Sequence, residues 1–147
     1  MSLQHEQLCA LIPHAGTMCL LDRVEQWDDT RILCSSDSHR HRNNPLRNGD
    51  RLAAVHALEY GAQAMAVHGG LVARQEQQRI RNGFLVAIRD AELHRDRLDD
   101  LPGPLQVEAT QLLDSAANQI YRVEIRCGDN VIAAGRLLVM NHLEAEA

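Results

Sequence analysis

The sequence contains no lysine: all fifteen of its basic residues are arginine. That absence excludes a Schiff-base lysine and the Walker lysine that cradles phosphate, since both chemistries need an amine on a flexible stem. Aromatic residues are scarce as well. Trp27, Tyr60, Phe84 and Tyr121 are all there are in 147 residues, leaving little from which to build a stacking platform for bases or sugars. A net charge of −5 lacks the basic excess that nucleic-acid binding uses to displace counterions. No apolar stretch approaches the roughly 20 residues needed to cross a bilayer. The opening Met1-Ser2-Leu3-Gln4-His5-Glu6 lacks the basic start and apolar run of a secretory signal, so the expected location is the cytoplasm. Cys9, Cys19, Cys34 and Cys127 are spaced too widely for a CxxC redox or zinc motif, which predicts free thiols in a reducing compartment. GxSxG, HExxH and GxGxxG are also missing, so serine-hydrolase, zincin and dinucleotide-binding readings have no support.

What is present reads as one domain over 1–147, with 45% hydrophobic residues and enough length for a sizeable core. Residues 3–12 suit a short helix ending at Pro13, and 143–147 a flexible acidic tail. Met18–Val24 (MCLLDRV) and Thr30–Ser36 (TRILCSS) read as strands, with Glu25–Asp29 as the turn between them. The polar run 37–50, holding Pro45 and Gly49, reads as an irregular loop. From Leu52 to Val72 the chain turns alanine-rich and free of proline. It is apolar almost all round, which marks a buried central helix with Asp50 as N-cap and Gly69-Gly70 near its end. Beyond it, 84–93, 105–113, 120–127 and 131–140 alternate or run apolar as strands. Few helices and many strands give an α+β layout, in which an antiparallel sheet wraps a helix.

The polar exceptions on the central helix are His56, Glu59, Gln63 and His68. Glu59 and Gln63 lie about 40° apart around the axis, and His56 about 60° from Glu59. A carboxylate on so apolar a helix is paired, solvated or used. A stripe simply facing water is one reading; a stripe facing a pocket is the other. Eight histidines supply acid–base material near neutral pH. His39 and His41 alternate as two ligands on an extended segment would, yet no third ligand accompanies them, and zinc takes at least three from the protein. His14 follows Pro13 at a turn. His94 lies in a charged stretch, and His5 and His142 lie near the termini.

Two segments taken together resemble the 3-hydroxyacyl-[acyl-carrier-protein] dehydratases. Ile12-Pro13-His14-Ala15-Gly16-Thr17-Met18-Cys19-Leu20-Leu21-Asp22-Arg23-Val24 is similar to the family's opening, and Leu58-Glu59-Tyr60-Gly61-Ala62-Gln63-Ala64 to its central-helix motif. Their order and separation match too, and the likeness spans about 8–140. It is nearest to the dehydratase-like proteins of aryl-polyene biosynthesis clusters. The resemblance implies a hot-dog fold, with a long central helix (about 52–72) wrapped by a curved antiparallel sheet. It also implies pairing into a dimer or higher oligomer, homomeric or mixed with another hot-dog dehydratase, with an acyl tunnel at the interface.

The implied chemistry is loss of water from a 3-hydroxyacyl thioester on acyl carrier protein, in fatty-acid-like or polyene biosynthesis. A base takes the proton beside the thioester carbonyl and an acid protonates the departing hydroxyl. The carboxylate position falls on Glu59 and its orienting partner on Gln63. A main-chain donor for the carbonyl oxygen falls near Ala54, where the family's Pro-Gly is replaced by Ala53-Ala54. No metal is implied, and no cofactor beyond the phosphopantetheine arm that carries the substrate. The family's histidine stands fourteen residues before the carboxylate; here that position is Pro45, next to Asn44. His14 is the first replacement, with His56 and His41 behind it. Arg40, Arg42, Arg47 or Arg51 could meet the arm's phosphate or the acidic carrier protein. The alternatives are a non-catalytic partner subunit of a dehydratase assembly and an acyl thioesterase, in which the carboxylate would activate water.

Overall fold

The structure, a computed structural model, describes residues 3–12, 18–77 and 83–141. A two-residue strand β1 (Leu3–Gln4) and a short helix α1 (His5–Cys9) open the chain. Strands β2 (Arg23–Trp27) and β3 (Arg31–Ser36) follow. Next come the long helix α2 (Ala57–Gln75) and four strands: β4 (Gly83–Leu93), β5 (Leu105–Asp114), β6 (Asn118–Cys127) and β7 (Asn130–Asn141). The strands form one antiparallel sheet in the order β1-β2-β3-β5-β6-β7-β4, and it wraps α2. This is the hot-dog arrangement that the resemblance implied.

Helix α2 buries most of its circumference, with Tyr60, Ala64 and Val67 fully inaccessible. Two glycines set how close it comes to its neighbours. A Cβ on Gly61 would fall 2.8 Å from Val123 of β6, and one on Gly70 3.3 Å from Leu11. These contacts offset the roughly 1 kcal/mol that glycine costs inside a helix relative to alanine. The helix runs past Gly69-Gly70, which lie near its end, to Gln75, three residues beyond the expected Val72. Its start also differs from expectation. Asp50 is not the cap; a 3₁₀ turn over Ala54–His56 leads in, and His56 is the N-cap residue.

Three further expectations are corrected. Strand β2 begins at Arg23 rather than Met18 and takes in Glu25, Gln26 and Trp27, so the turn shrinks to Asp28–Thr30. There the Asp28 carboxylate accepts from the Thr30 and Arg31 N–H groups at 2.9 Å each. The N-terminal helix shortens to five residues. The free-thiol reading fails for two cysteines: Cys9 and Cys19 form a disulfide, with Cα atoms 5.8 Å apart, whereas Cys34 and Cys127 are free. Pairing across ten residues is set by where α1 packs, and so carries no local spacing signature.

Candidate active site

Glu59 lies in the first turn of α2 and faces solvent in the single chain, as in the first of the two readings of the polar stripe. Its neighbour Leu58 turns inward. A Cβ on Gly135 of β7 would lie 3.7 Å from Leu58 Cδ2 and 3.5 Å from Ala91 Cα of β4. The turn bearing Glu59 therefore sits over the place where β4 is irregular, with its register to β7 shifting between Arg89 and Glu92. Asp90 adopts φ = 52° there and pairs with Arg136. Such bulges re-aim a strand and recur beside active sites.

The loop before the helix is held by a buried polar network. The Tyr60 hydroxyl lies 2.7 Å from Ser38 Oγ and accepts from Asn44 Nδ2 at 3.2 Å. Asn44 Nδ2 also donates to the Ser38 carbonyl at 2.9 Å, and its Oδ1 accepts from the Leu46 N–H at 2.9 Å. Burial pushes the Tyr60 hydroxyl pKa up, so it stays a neutral partner. Beside Pro45, where the family places its histidine, a neutral amide ties the loop to α2 instead. Asn44 gave no motif signal, because its role depends on contacts made after folding.

His39 and His41 do not share a side. His39 is buried, with Nε2–H donating to the Leu101 carbonyl at 3.2 Å, and His41 is exposed. Arg40 pairs with Asp37 and donates to the Pro102 carbonyl, and Arg47 donates to the carbonyls of Asp50 and His39. Arg47 is thus engaged within the loop and Arg40 with Asp37 and Pro102, while Arg40, Arg42 and Arg51 are all exposed.

Gln63 is buried, and its amide is directed away from Glu59. Oε1 accepts from the Leu20 N–H at 2.8 Å and Nε2 donates to the Met18 carbonyl at 2.6 Å. Its orienting role therefore falls on the segment 18–20. His14, the first replacement for the family histidine, lies outside the described residues, as does the acidic tail. Ala54 is buried and its N–H donates to the Asp96 carbonyl at 2.9 Å, so the main-chain donor expected there is already taken. Asp99 secures the same approach by accepting from the Leu52 N–H at 2.8 Å. The Arg97 guanidinium holds the Asp99 carboxyl well below the usual carboxylate range. His56 is half-buried one turn before Glu59.

His68 is a core residue. Its Nε2–H donates to the Asp28 carbonyl at 2.8 Å, which leaves Nδ1 to accept from the Tyr121 hydroxyl. Burial lowers its pKa.

A groove of about 500 Å³ runs along α2 beyond Glu59, floored by Ala62, Ala66, Gly69 and Ala73 and flanked by Leu85 and Tyr121. At 100° per residue those four positions fall within about 80° of Glu59, and Ala73 lies about 21 Å along the axis from it. Beside the groove, β4 exposes Phe84, Leu85, Val86, Ile88 and Leu93. It is the last strand of the sheet, pairing only with β7 among the described residues. A long apolar edge of this kind is a surface for another chain.

Several solved structures share this fold. The dehydratase heterocomplex ApeI:P from Xenorhabdus doucetiae superposes with a TM-score of 0.84 at 23% identity, covering 93% of this chain and 91% of that one. The thioesterase HI1161 from Haemophilus influenzae gives 0.68 at 14% identity, covering 98% and 94%. A mutant of the thioesterase PA1618 from Pseudomonas aeruginosa gives 0.63 at 15%, covering 95% and 94%. No curated protein matches by sequence. Residues 6–147 match the ApeP-like family, described as ApeP dehydratase. With nearly its whole length matched, the chain belongs to the ApeP-like family of hot-dog dehydratases.

Proposed function

We propose that the chain is one subunit of a hot-dog dehydratase assembly. It would remove water from a 3-hydroxyacyl thioester carried on the phosphopantetheine arm of an acyl carrier protein, in the cytoplasm. One observation carries the reading: Glu59, exposed in the single chain, stands one turn before Ala62, where a groove along α2 begins beside the exposed apolar strand β4, which pairs only with β7 among the described residues. A second hot-dog chain, either another copy or a related dehydratase as in the ApeI:P heterocomplex, would cover β4 and close the groove into an acyl tunnel. Covering Glu59 would place its carboxyl beside the bound acyl chain, within reach of a leaving hydroxyl.

In the reaction a base, assigned to His14, takes the proton from the carbon beside the thioester carbonyl. The electron pair forms the new double bond, and the hydroxyl departs with the Glu59 proton as water. The negative charge passing through the carbonyl oxygen needs a donor other than the Ala54 N–H. A second reading, in which this subunit supports a catalytic partner and performs no chemistry itself, is favoured by Asn44 and its network beside the family's histidine position.

The test presents a 3-hydroxyacyl carrier-protein substrate to the chain alone and with a hot-dog dehydratase partner, as wild type, Glu59→Gln and His14→Ala. Dehydration by the wild type with a loss of about 10²–10⁴-fold in Glu59→Gln is the expected result. Full activity of the complex carrying Glu59→Gln would move the chemistry to the partner. Free acid in place of the unsaturated thioester would make the chain a thioesterase.

A further inference from the structure

His5, Cys9 and Cys19 lie on the face of the molecule built by α1 and the segment leading into β2. His5 and Cys9 are four residues apart on α1, hence on one side of it. Cys19 comes from the segment that Gln63 fixes through its neighbours Met18 and Leu20. The ligand atoms of the three side chains all fall within 4.8 Å of one another, and no other His, Cys, Asp or Glu group among the described residues clusters in this way.

The tautomer of His5 is fixed by its contact with the main chain. Nδ1 lies 2.7 Å from the Leu21 carbonyl, which can only accept, so Nδ1 carries the proton and Nε2 keeps its lone pair. Cys9 Sγ stands 3.5 Å from that lone-pair nitrogen and 3.6 Å from Nδ1, beside the ring rather than ahead of Nε2. A tetrahedral zinc ion with usual Zn–S and Zn–N bonds needs an S···N separation of about 3.6 Å and an S···S separation of about 3.8 Å. The first distance is met, and the ring has to turn for the Nε2 lone pair to face the sulfurs. The second requires the sulfurs only to part when their bond is broken, while the Cα atoms, 5.8 Å apart, stay in place.

We propose that, once the Cys9–Cys19 bond is reduced, His5 Nε2 and the sulfurs of Cys9 and Cys19 bind one zinc-class divalent ion, with water in the fourth position. Reduction by a phosphine breaks the S–S bond. The phosphine supplies two electrons and leaves as its oxide with an oxygen from water, and the two water protons end on the sulfurs. Binding then releases both thiol protons, because the thiolate is the ligand. The site is separate from Glu59 and takes no part in the proposed dehydration.

The full chain, reduced with a phosphine, is titrated with Co²⁺ and followed by absorption. One equivalent should bring up the near-ultraviolet sulfur-to-cobalt band and the intense visible bands of tetrahedral cobalt, and Zn²⁺ should abolish both. The oxidised protein should show neither, and Cys127→Ala should leave them unchanged. Cys9→Ser and Cys19→Ser should lose the sulfur band or halve it, and His5→Gln should weaken binding at least tenfold. His5→Gln leaves both cysteines intact, and circular dichroism confirms that each variant is folded. A reduced wild type that keeps only the weak spectrum of hexaaqua cobalt would overturn the proposal. Full-strength bands in folded Cys19→Ser would do the same.

Discussion

The two edges of the sheet are finished in opposite ways. The β1 edge is two residues long, is followed at once by α1, and is tied by the Cys9–Cys19 bond to the segment entering β2. The β4 edge is eleven residues long and exposes apolar side chains along much of its length. A short, covered edge resists pairing with other chains, whereas a long apolar one invites it. The chain closes one side of itself and leaves the other exposed, and the proposed partner would cover that exposed side.

The largest test of this contrast is to place charge on the open edge. Val86→Lys with Ile88→Lys should abolish dimeric or mixed assembly, read by light scattering, while circular dichroism of the chain stays unchanged. Assembly that survives the double change would place the partner elsewhere. At the closed edge the effect should be on stability. Cys19→Ser should cost roughly 3 kcal/mol against the oxidised wild type in urea, the amount expected for opening a loop of about ten residues. Adding reductant should lower the wild type equally and leave assembly through β4 intact. Loss of assembly on reduction would mean that the two edges are coupled.

The smallest effect belongs to neither edge. His68 is buried in its neutral form, so its folded-state pKa lies below the ordinary 6.5. The unfolded chain takes up this proton first. Stability is therefore complete above about pH 6.5 and falls as the pH drops below it, until the folded histidine itself protonates. His39, also lowered by burial, adds in the same direction. Each contributes at most about 1.4 kcal/mol per pH unit. Urea unfolding at pH 8, 6.5 and 5.5 should show this slope, and His68→Gln should flatten it. An unchanged slope in that variant would remove His68 as a source.

Much of this organisation is written locally in the sequence. The central helix is legible because an alanine-rich run, apolar all round, has few other ways to bury itself. Glu59 stands out for the same reason. What it does not disclose is its exposure, since the same carboxylate faces water or a pocket according to how the fold turns the helix. Residues 18–22 read as strand because an apolar extended run carries the same pattern whether its hydrogen bonds go to a strand or to side chains. Here they go in part to side chains: Ser36 and Ser38 both donate to the Leu20 carbonyl, and Gln63 bonds on either side of Cys19. The Cys9–Cys19 pairing was illegible because only the packing of α1 brings the two together.

The Gln63 amide has a consequence for how that segment is held. Accepting from the Leu20 N–H and donating to the Met18 carbonyl is the pair of bonds that one residue of a parallel strand would exchange around Cys19. One side-chain amide on the helix thus stands in for a missing strand and sets the register of the chain against α2. Only a group that both donates and accepts at that reach can do so. A glutamate there could receive the Leu20 proton but could not answer the Met18 carbonyl, and a methionine of similar length could do neither.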